Sequence, residues 1–253
     1  MPERIMAHLV AGYPDLESSL EVARGLLDGG CAYLEVQFPF SDPTADGPLI
    51  QEACDTALRS GFRVAWGFEL LGRIRSLSTR PLFLMSYANP VVVGGVGEFL
   101  RRAREAGAAG IIVPDLPVDS DEGLYARGRA LGLEAVPVVA PNITEERLRL
   151  VGRTGAGYLY AALRPGITGQ HTEIGAENLA FLRRLNNPGR KVLAGFGVSD
   201  PAQVRALAPH VHAVVVGSAF IRAVREAGGS SAGPGALRRA VQVRMRELAG
   251  GSA

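Results

Sequence analysis

The apolar run Tyr33–Phe38 carries a carboxylate, Glu35, and the loop after it carries a second, Asp46. A carboxylate inside an apolar strand is costly unless it is paired or used. Glu35 in the strand and Asp46 in the loop that follows are carboxylates of the kind general acid–base chemistry uses. Position alone leaves the question even. Glu35 serves equally well as a structural carboxylate paired with an arginine, or at an open strand end where burial costs little.

Two glycine-rich segments lie near the end of the chain, Gly195-Phe196-Gly197 and Gly217-Ser218-Ala219. Glycines there let backbone amides approach a ligand. A helix starting near Ser218 would aim its free N–H groups at an anion. Tight turns alone would also explain the glycines, but two such loops after consecutive strands favour a phosphate site. A further loop, Arg164–Gly169, has the glycine content of a mobile lid.

Other chemistries fit poorly. A Schiff-base aldolase needs a lysine at the C-terminal end of a strand, and Lys191, the only lysine, precedes an apolar run. His210 and His212 also precede a run, and His8 and His171 stand far apart in sequence, so no metal-ligand cluster is legible. No metal and no cofactor are expected. What remains is carboxylate acid–base chemistry on a phosphorylated substrate.

These residues need a scaffold. Short apolar runs recur at roughly 25–35 residue spacing, the size of a βα unit. They are Ile5–Val10, Tyr33–Phe38, Pro81–Ser86, Gly110–Val113, Glu134–Val139, Tyr158–Ala161, Val192–Ala194 and Ala213–Val216. Several are apolar without alternation, as buried parallel strands should be. Asp15 predicts a capped helix over Leu16–Asp28 that ends at Gly29-Gly30. Thr144-Glu145-Glu146 opens another, Asp200-Pro201 a third, and Ala236–Leu248 forms an amphipathic outer helix. An open doubly wound sheet and a closed barrel both fit eight such units. The late glycine loops, and the lack of GxGxxG after the first run, favour an α/β fold of the (β/α)8 TIM-barrel type.

The chain has 253 residues, 47% hydrophobic and 21% charged, which fits one barrel domain over residues 1–253. No linker is visible; the segment 228–235, GGSSAGPG, reads as a loop within the last unit. A net charge of +2 gives no reason to expect a nucleic-acid partner. Cys31 and Cys54 form no CxxC pair and read as reduced thiols. The opening segment lacks the features of a signal peptide, and no apolar run approaches the length of a membrane span. A soluble, cytoplasmic protein is expected.

The segment PFSDPTADGPLIQ resembles the signature of tryptophan synthase alpha subunits. The segments LMSYANPV, GIIVPDLPVD, VVAPNITEERL, GYLYAALRPGITG, GFGVSDPAQV and VVVGSAF run in the family's order over nearly the whole chain. The resemblance implies a carbon–carbon lyase that cleaves indole-3-glycerol phosphate to indole and glyceraldehyde 3-phosphate in tryptophan biosynthesis. It implies that Glu35 is the acid that protonates indole C3, that Asp46 holds the ring N–H, and that Tyr160 is the active-site tyrosine. Thr168 and Gly169 fall in the lid. Gly169, Phe196, Gly197, Gly217 and Ser218 match the phosphate-binding positions. Asp42, Asn89, Asp115 and Pro117 fall in segments that face or communicate with a beta subunit, in an αββα heterotetramer.

The chain also departs from the family's pattern. Only a few residues precede Ile5, where the family usually has a floor helix, so that helix is expected to be lacking, and His8 stands where an aromatic residue is common near the indole. A serine usual after the tyrosine of strand six is absent, and His212-Ala213 stands where Asp-Gly is usual. Three alternatives stay open at this stage. One is a stand-alone lyase releasing free indole, another a weakly active subunit that mainly activates a beta subunit. The third, a phosphate-sugar isomerase on the same fold, would leave the SDPxADGP pattern unexplained.

Overall fold

The computed structural model describes residues 4–164, 173–186 and 188–251. Its strands are β1 (Ile5–Val10), β2 (Tyr33–Gln37), β3 (Leu82–Met85), β4 (Gly110–Ile112), β5 (Glu134–Val136), β6 (Val138–Val139), β7 (Tyr158–Ala162), β8 (Lys191–Gly195) and β9 (Ala213–Val216). All pair in parallel, in the order β5-β4-β3-β2-β1-β9-β8-β7-β6. The eight apolar runs therefore give nine strand segments. The fifth run divides at Pro137, which has no N–H to donate to a ladder.

That division also explains how the sheet closes. Its two edges, β5 and β6, are consecutive halves of one run, so the sheet returns on itself as a barrel. The Tyr160 N–H donates to the Pro137 carbonyl at 2.9 Å, and the Glu134 carboxylate accepts from the N–H groups of Gly157 and Tyr158. A side chain thus bridges the strands where backbone pairing is interrupted.

The outer layer contains α1 (Leu16–Asp28), α2 (Pro48–Arg59), α3 (Val64–Leu77), α4 (Ala88–Val93), α5 (Val96–Glu105), α6 (Leu124–Ala130), α7 (Glu145–Arg153), α8 (Ala176–Leu185), α9 (Pro201–Leu207), α10 (Ser218–Glu226) and α11 (Pro234–Leu248). The expected caps form. The Asp15 carboxylate accepts from the Ser18 N–H and Thr144 Oγ1 from the Arg147 N–H, while Asp200 and Gln203 form a capping box. The last helix begins at Pro234 rather than Ala236, because proline is well suited to a first helical position. Within the segment expected as a loop, Gly229–Ser231 forms a 3-10 turn.

The main core lies between strands and helices, with Leu9, Leu34, Leu84, Ile111, Leu159, Ala194 and Val214 facing outward to it. A second cluster fills the barrel interior with Met6, Phe83, Tyr87, Ile112, Val136, Tyr160, Leu193 and Val215. Alternation along each strand divides these sets. It also sends Glu35 and Gln37, two residues apart on β2, to the same inner side.

Candidate active site

The barrel interior opens into a cavity lined by His8, Glu35, Gln37, Asp46, Tyr160, Phe196, Gly197, Gly217 and Ser218, with Met85, Ile112 and Val215 supplying apolar wall. The neighbouring strands β1 and β2 place His8 opposite Glu35 in register, and His8 Nδ1 lies 3.2 Å from Glu35 Oε2. Both side chains are buried. Glu35 is the central residue of β2 rather than its last, so it stands deeper than a strand-end position would put it.

Asp46 reaches the same cavity from the loop between β2 and α2. The loop is folded on itself: the Asp46 N–H donates to the Pro43 carbonyl at 2.9 Å, and Gln51 Nε2 donates to the Asp46 carbonyl at 2.8 Å. The Asp46 carboxylate is buried and accepts two hydrogen bonds on Oδ2, from Gln37 Nε2 at 2.7 Å and the Tyr87 hydroxyl at 2.8 Å. Burial pushes the Asp46 carboxyl up; the His8 side chain and the donors Tyr87 and Gln37 pull it down, and Glu35 pushes it up. Tyr160 is buried beside both carboxylates, and its phenol is held well above the ordinary value, first by burial and then by the charges of Glu35 and Asp46. It keeps its proton and can act as a donor.

The opposite end of the cavity is backbone. Phe196 and Gly197 both take positive φ, at 79° and 85°, and Gln203 Nε2 donates to the Gly197 carbonyl at 2.9 Å, tying this loop to α9. The Phe196 ring packs edge-on to Tyr160, with centroids 5.9 Å apart. A Cβ on Gly195 would come within 2.8 Å of the Tyr160 hydroxyl, so glycine makes room for that tyrosine. Gly217 precedes the first turn of α10, and Ser218 is its first residue. Free N–H groups at that turn favour an anion.

The expected site residues Glu35, Asp46, Tyr160, Phe196, Gly197, Gly217 and Ser218 thus meet around one cavity. Thr168 and Gly169 lie outside the described residues. Lys191 opens β8 and contacts Tyr158, at the start of β7 and so at the opposite end of the barrel.

The four residues expected at a partner surface are exposed. The Asp115 carboxylate accepts from the Ala88 N–H at 2.8 Å, at the start of the helix that carries Asn89. Phe40, near Asp42, stacks on Tyr87 at 5.5 Å, which links the loop carrying Asp42 to the start of α4. Pro117 follows Asp115 on the next loop. Val93 stands 79% exposed on α4, an apolar residue on this rim.

Two site residues escaped the sequence reading. Gln37 is a polar residue inside an apolar strand, the same signal that drew attention to Glu35. Tyr87 carries no such signal, since a tyrosine after a strand is ordinary, and only the fold brings its hydroxyl to Asp46.

Comparison with known proteins agrees with this geometry. A sequence model described as Tryptophan synthase alpha chain matches residues 3–249. The Tryptophan synthase alpha chain of Helicobacter hepaticus is 39% identical over 88% of this chain and 86% of its own length. That of Streptomyces coelicolor is 37% identical over 90% and 85%. Among solved structures, tryptophan synthase of Mycobacterium tuberculosis aligns with a TM-score of 0.86 at 32% identity, over 98% of this chain and 92% of the other. A structure from Pyrococcus furiosus, described as bearing on mutual activation of the tryptophan synthase α2β2 complex, aligns with a TM-score of 0.86 at 33% identity, over 99% and 100%. With the barrel, the cavity and these likenesses together, the chain belongs to the tryptophan synthase alpha chain family.

Proposed function

We propose that this chain cleaves indole-3-glycerol phosphate to indole and glyceraldehyde 3-phosphate, with Glu35 as the proton-transfer group. The observation that carries the reading is the pair of buried carboxylates, Glu35 and Asp46, in a cavity whose far end is the start of α10. In this reading the phosphate rests on the backbone N–H groups near Gly197, Gly217 and Ser218, beside Phe196, and the indole ring reaches toward the carboxylates.

The chemistry runs as a retro-aldol cleavage. Protonated Glu35 gives its proton to indole C3, which leaves positive charge on the ring. The Asp46 carboxylate accepts a hydrogen bond from the ring N–H and offsets that charge. Glu35, now a carboxylate, takes the proton of the side-chain hydroxyl next to the ring. The bond between C3 and the side chain breaks, its electrons return to the ring, and the side chain leaves as an aldehyde. Ring protonation is itself the electron sink. Tyr160, with its proton held, is a donor beside the reacting centre. Thr168 and Gly169 complete this reading as part of a lid.

Residues 1–253 are read as one barrel domain. The partner is a tryptophan synthase beta subunit, joined in an αββα assembly through the rim carrying Asp42, Asn89, Asp115 and Pro117. The chain alone is a monomer. Among the described residues no helix is long and apolar enough to cross a membrane, and the reading places the protein in the cytoplasm. Indole release by the purified chain, alone and with a beta subunit from the same organism, tests this, alongside sedimentation of the mixture. A complex with faster indole release supports the reading. Full release without a complex indicates a stand-alone lyase, and no release in either sample overturns it.

A further inference from the structure

Gln37 is fully buried, lies one inward position beyond Glu35 on β2, and lines the cavity. Its amide nitrogen donates to Asp46 Oδ2 at 2.7 Å and to Cys54 Sγ at 3.4 Å. Its amide oxygen is buried without a hydrogen-bond partner. Turning the amide over would set that oxygen against the Asp46 carboxylate, so the orientation is imposed by Asp46. The donor end of the amide is the one that faces Asp46, and the side chain lines the cavity in which the ligand would sit. Tyr87 donates to the same carboxylate oxygen, at 2.8 Å. With both donors on Oδ2, Oδ1 is left as the oxygen available to a ligand.

We propose that Gln37 is a positioning residue for the lyase reaction, which holds Asp46 ionised with Oδ1 presented to the substrate ring N–H. The inference rests on the reading of Asp46 given above. The titratable groups around Asp46 come from five directions: His8 on β1, Glu35 on β2, Tyr87 after β3, Cys54 on α2 and Tyr160 on β7. Burial pushes the Cys54 thiol up to about 12, so it is neutral. The Tyr87 and Tyr160 phenols are raised and also neutral. Burial of Asp46 favours its protonated form, and the Gln37 and Tyr87 donors oppose that. In the cycle, Glu35 enters protonated and Asp46 ionised. The fall in rate at low pH therefore follows Asp46.

The test is the pH profile of kcat for indole release by the chain with its beta subunit, for wild type, Gln37→Met and Asp46→Asn. Methionine keeps the length and removes the donor. Loss of one hydrogen bond to a charged group should move the acid limb of kcat upward by about one pH unit, with KM little changed. Gln37→Glu gives a second variant should Gln37→Met fail to fold. A like charge beside Asp46 should move the same limb in the same direction. An acid limb that stays in place in a folded variant overturns the proposal and leaves Gln37 a packing residue. Full activity in Asp46→Asn overturns instead the underlying reading of Asp46.

Discussion

His8 touches both ends of the candidate chemistry. Its Nδ1 lies 3.2 Å from Glu35 Oε2, while its ring lies against Gly217, where an added Cβ would come within 3.3 Å of His8 Cδ2. Adjacent strands produce this, since β1 lies between β2 and β9 with His8 level with Glu35. His8→Phe keeps the ring and its packing but removes the hydrogen bond to Glu35. The expected outcome is a fall in kcat of about two- to tenfold, the worth of one net hydrogen bond, with little change in thermal midpoint. Steady-state indole release and a melting curve check it; an unchanged kcat would leave His8 as filler alone.

The phosphate end is expected to work through backbone rather than side chains. Gly217→Val places a branched side chain against His8 and over the first turn of α10, so affinity for glycerol phosphate should collapse. Ser218→Ala removes a hydroxyl and leaves the N–H groups, and should weaken binding only modestly. Calorimetric titration of both variants separates the cases. Equal losses would shift the weight to the serine hydroxyl.

At the opposite end of the barrel, Arg4 Nη1 donates to His212 Nδ1 at 3.3 Å, so the proton of the neutral ring sits on Nε2, which donates to the Tyr33 hydroxyl oxygen at 2.5 Å. Protonation would add a hydrogen to Nδ1, facing a guanidinium. Burial first, then the charges of Arg4 and Lys191, hold His212 below its ordinary value of 6.5. The unfolded chain therefore binds this proton more readily than the folded one. Above about pH 6.5 the ring is neutral in both states and carries no penalty; as pH falls below that value stability is lost, until the folded ring also protonates. Urea midpoints at pH 7.5 and 5.5 should differ less in His212→Asn than in wild type. An equal slope in both would show that other groups govern the acid side.

Stability at the seam between the last and first units depends on Gly25 of α1, where a Cβ would press on the Arg238 carbonyl and on Val241 of α11. Alanine gains about 1 kcal/mol over glycine inside a helix, but overpacking against backbone costs about 1–3 kcal/mol. The clash should win, because the carbonyl cannot turn away without breaking α11. Gly25→Ala is expected to lower the thermal midpoint by several degrees. A raised midpoint would show that the two helices slide apart freely.

Much of this was legible in the sequence. The apolar runs became strands within a residue or two, because buried parallel strands need little beyond β-branched and aliphatic side chains. Caps at Asp15, Thr144 and Asp200 marked their helices, because capping is local chemistry. Glu35 was conspicuous as a carboxylate in an apolar strand, whereas Asp46 stood out only as a carboxylate in the loop that follows and by the family resemblance. The contacts between distant residues were not legible. Tyr33 and His212 meet only because β2 and the turn before β9 open on the same end of the barrel, and Tyr87 reaches Asp46 only through the curvature of the sheet. The break at Pro137 was visible as a residue but not as an event. A proline can end a strand, and only the ladders to β4 and β7 show that here it interrupts a strand that resumes.

Glu35→Gln tests the central claim most directly. The amide keeps the shape of the side chain and cannot give or take the proton. With indole-3-glycerol phosphate and the beta subunit present, indole release should fall by about 10²–10⁴-fold, while the variant still binds glycerol phosphate as wild type does. Release within a few-fold of wild type would contradict the assignment of Glu35 as the proton-transfer group.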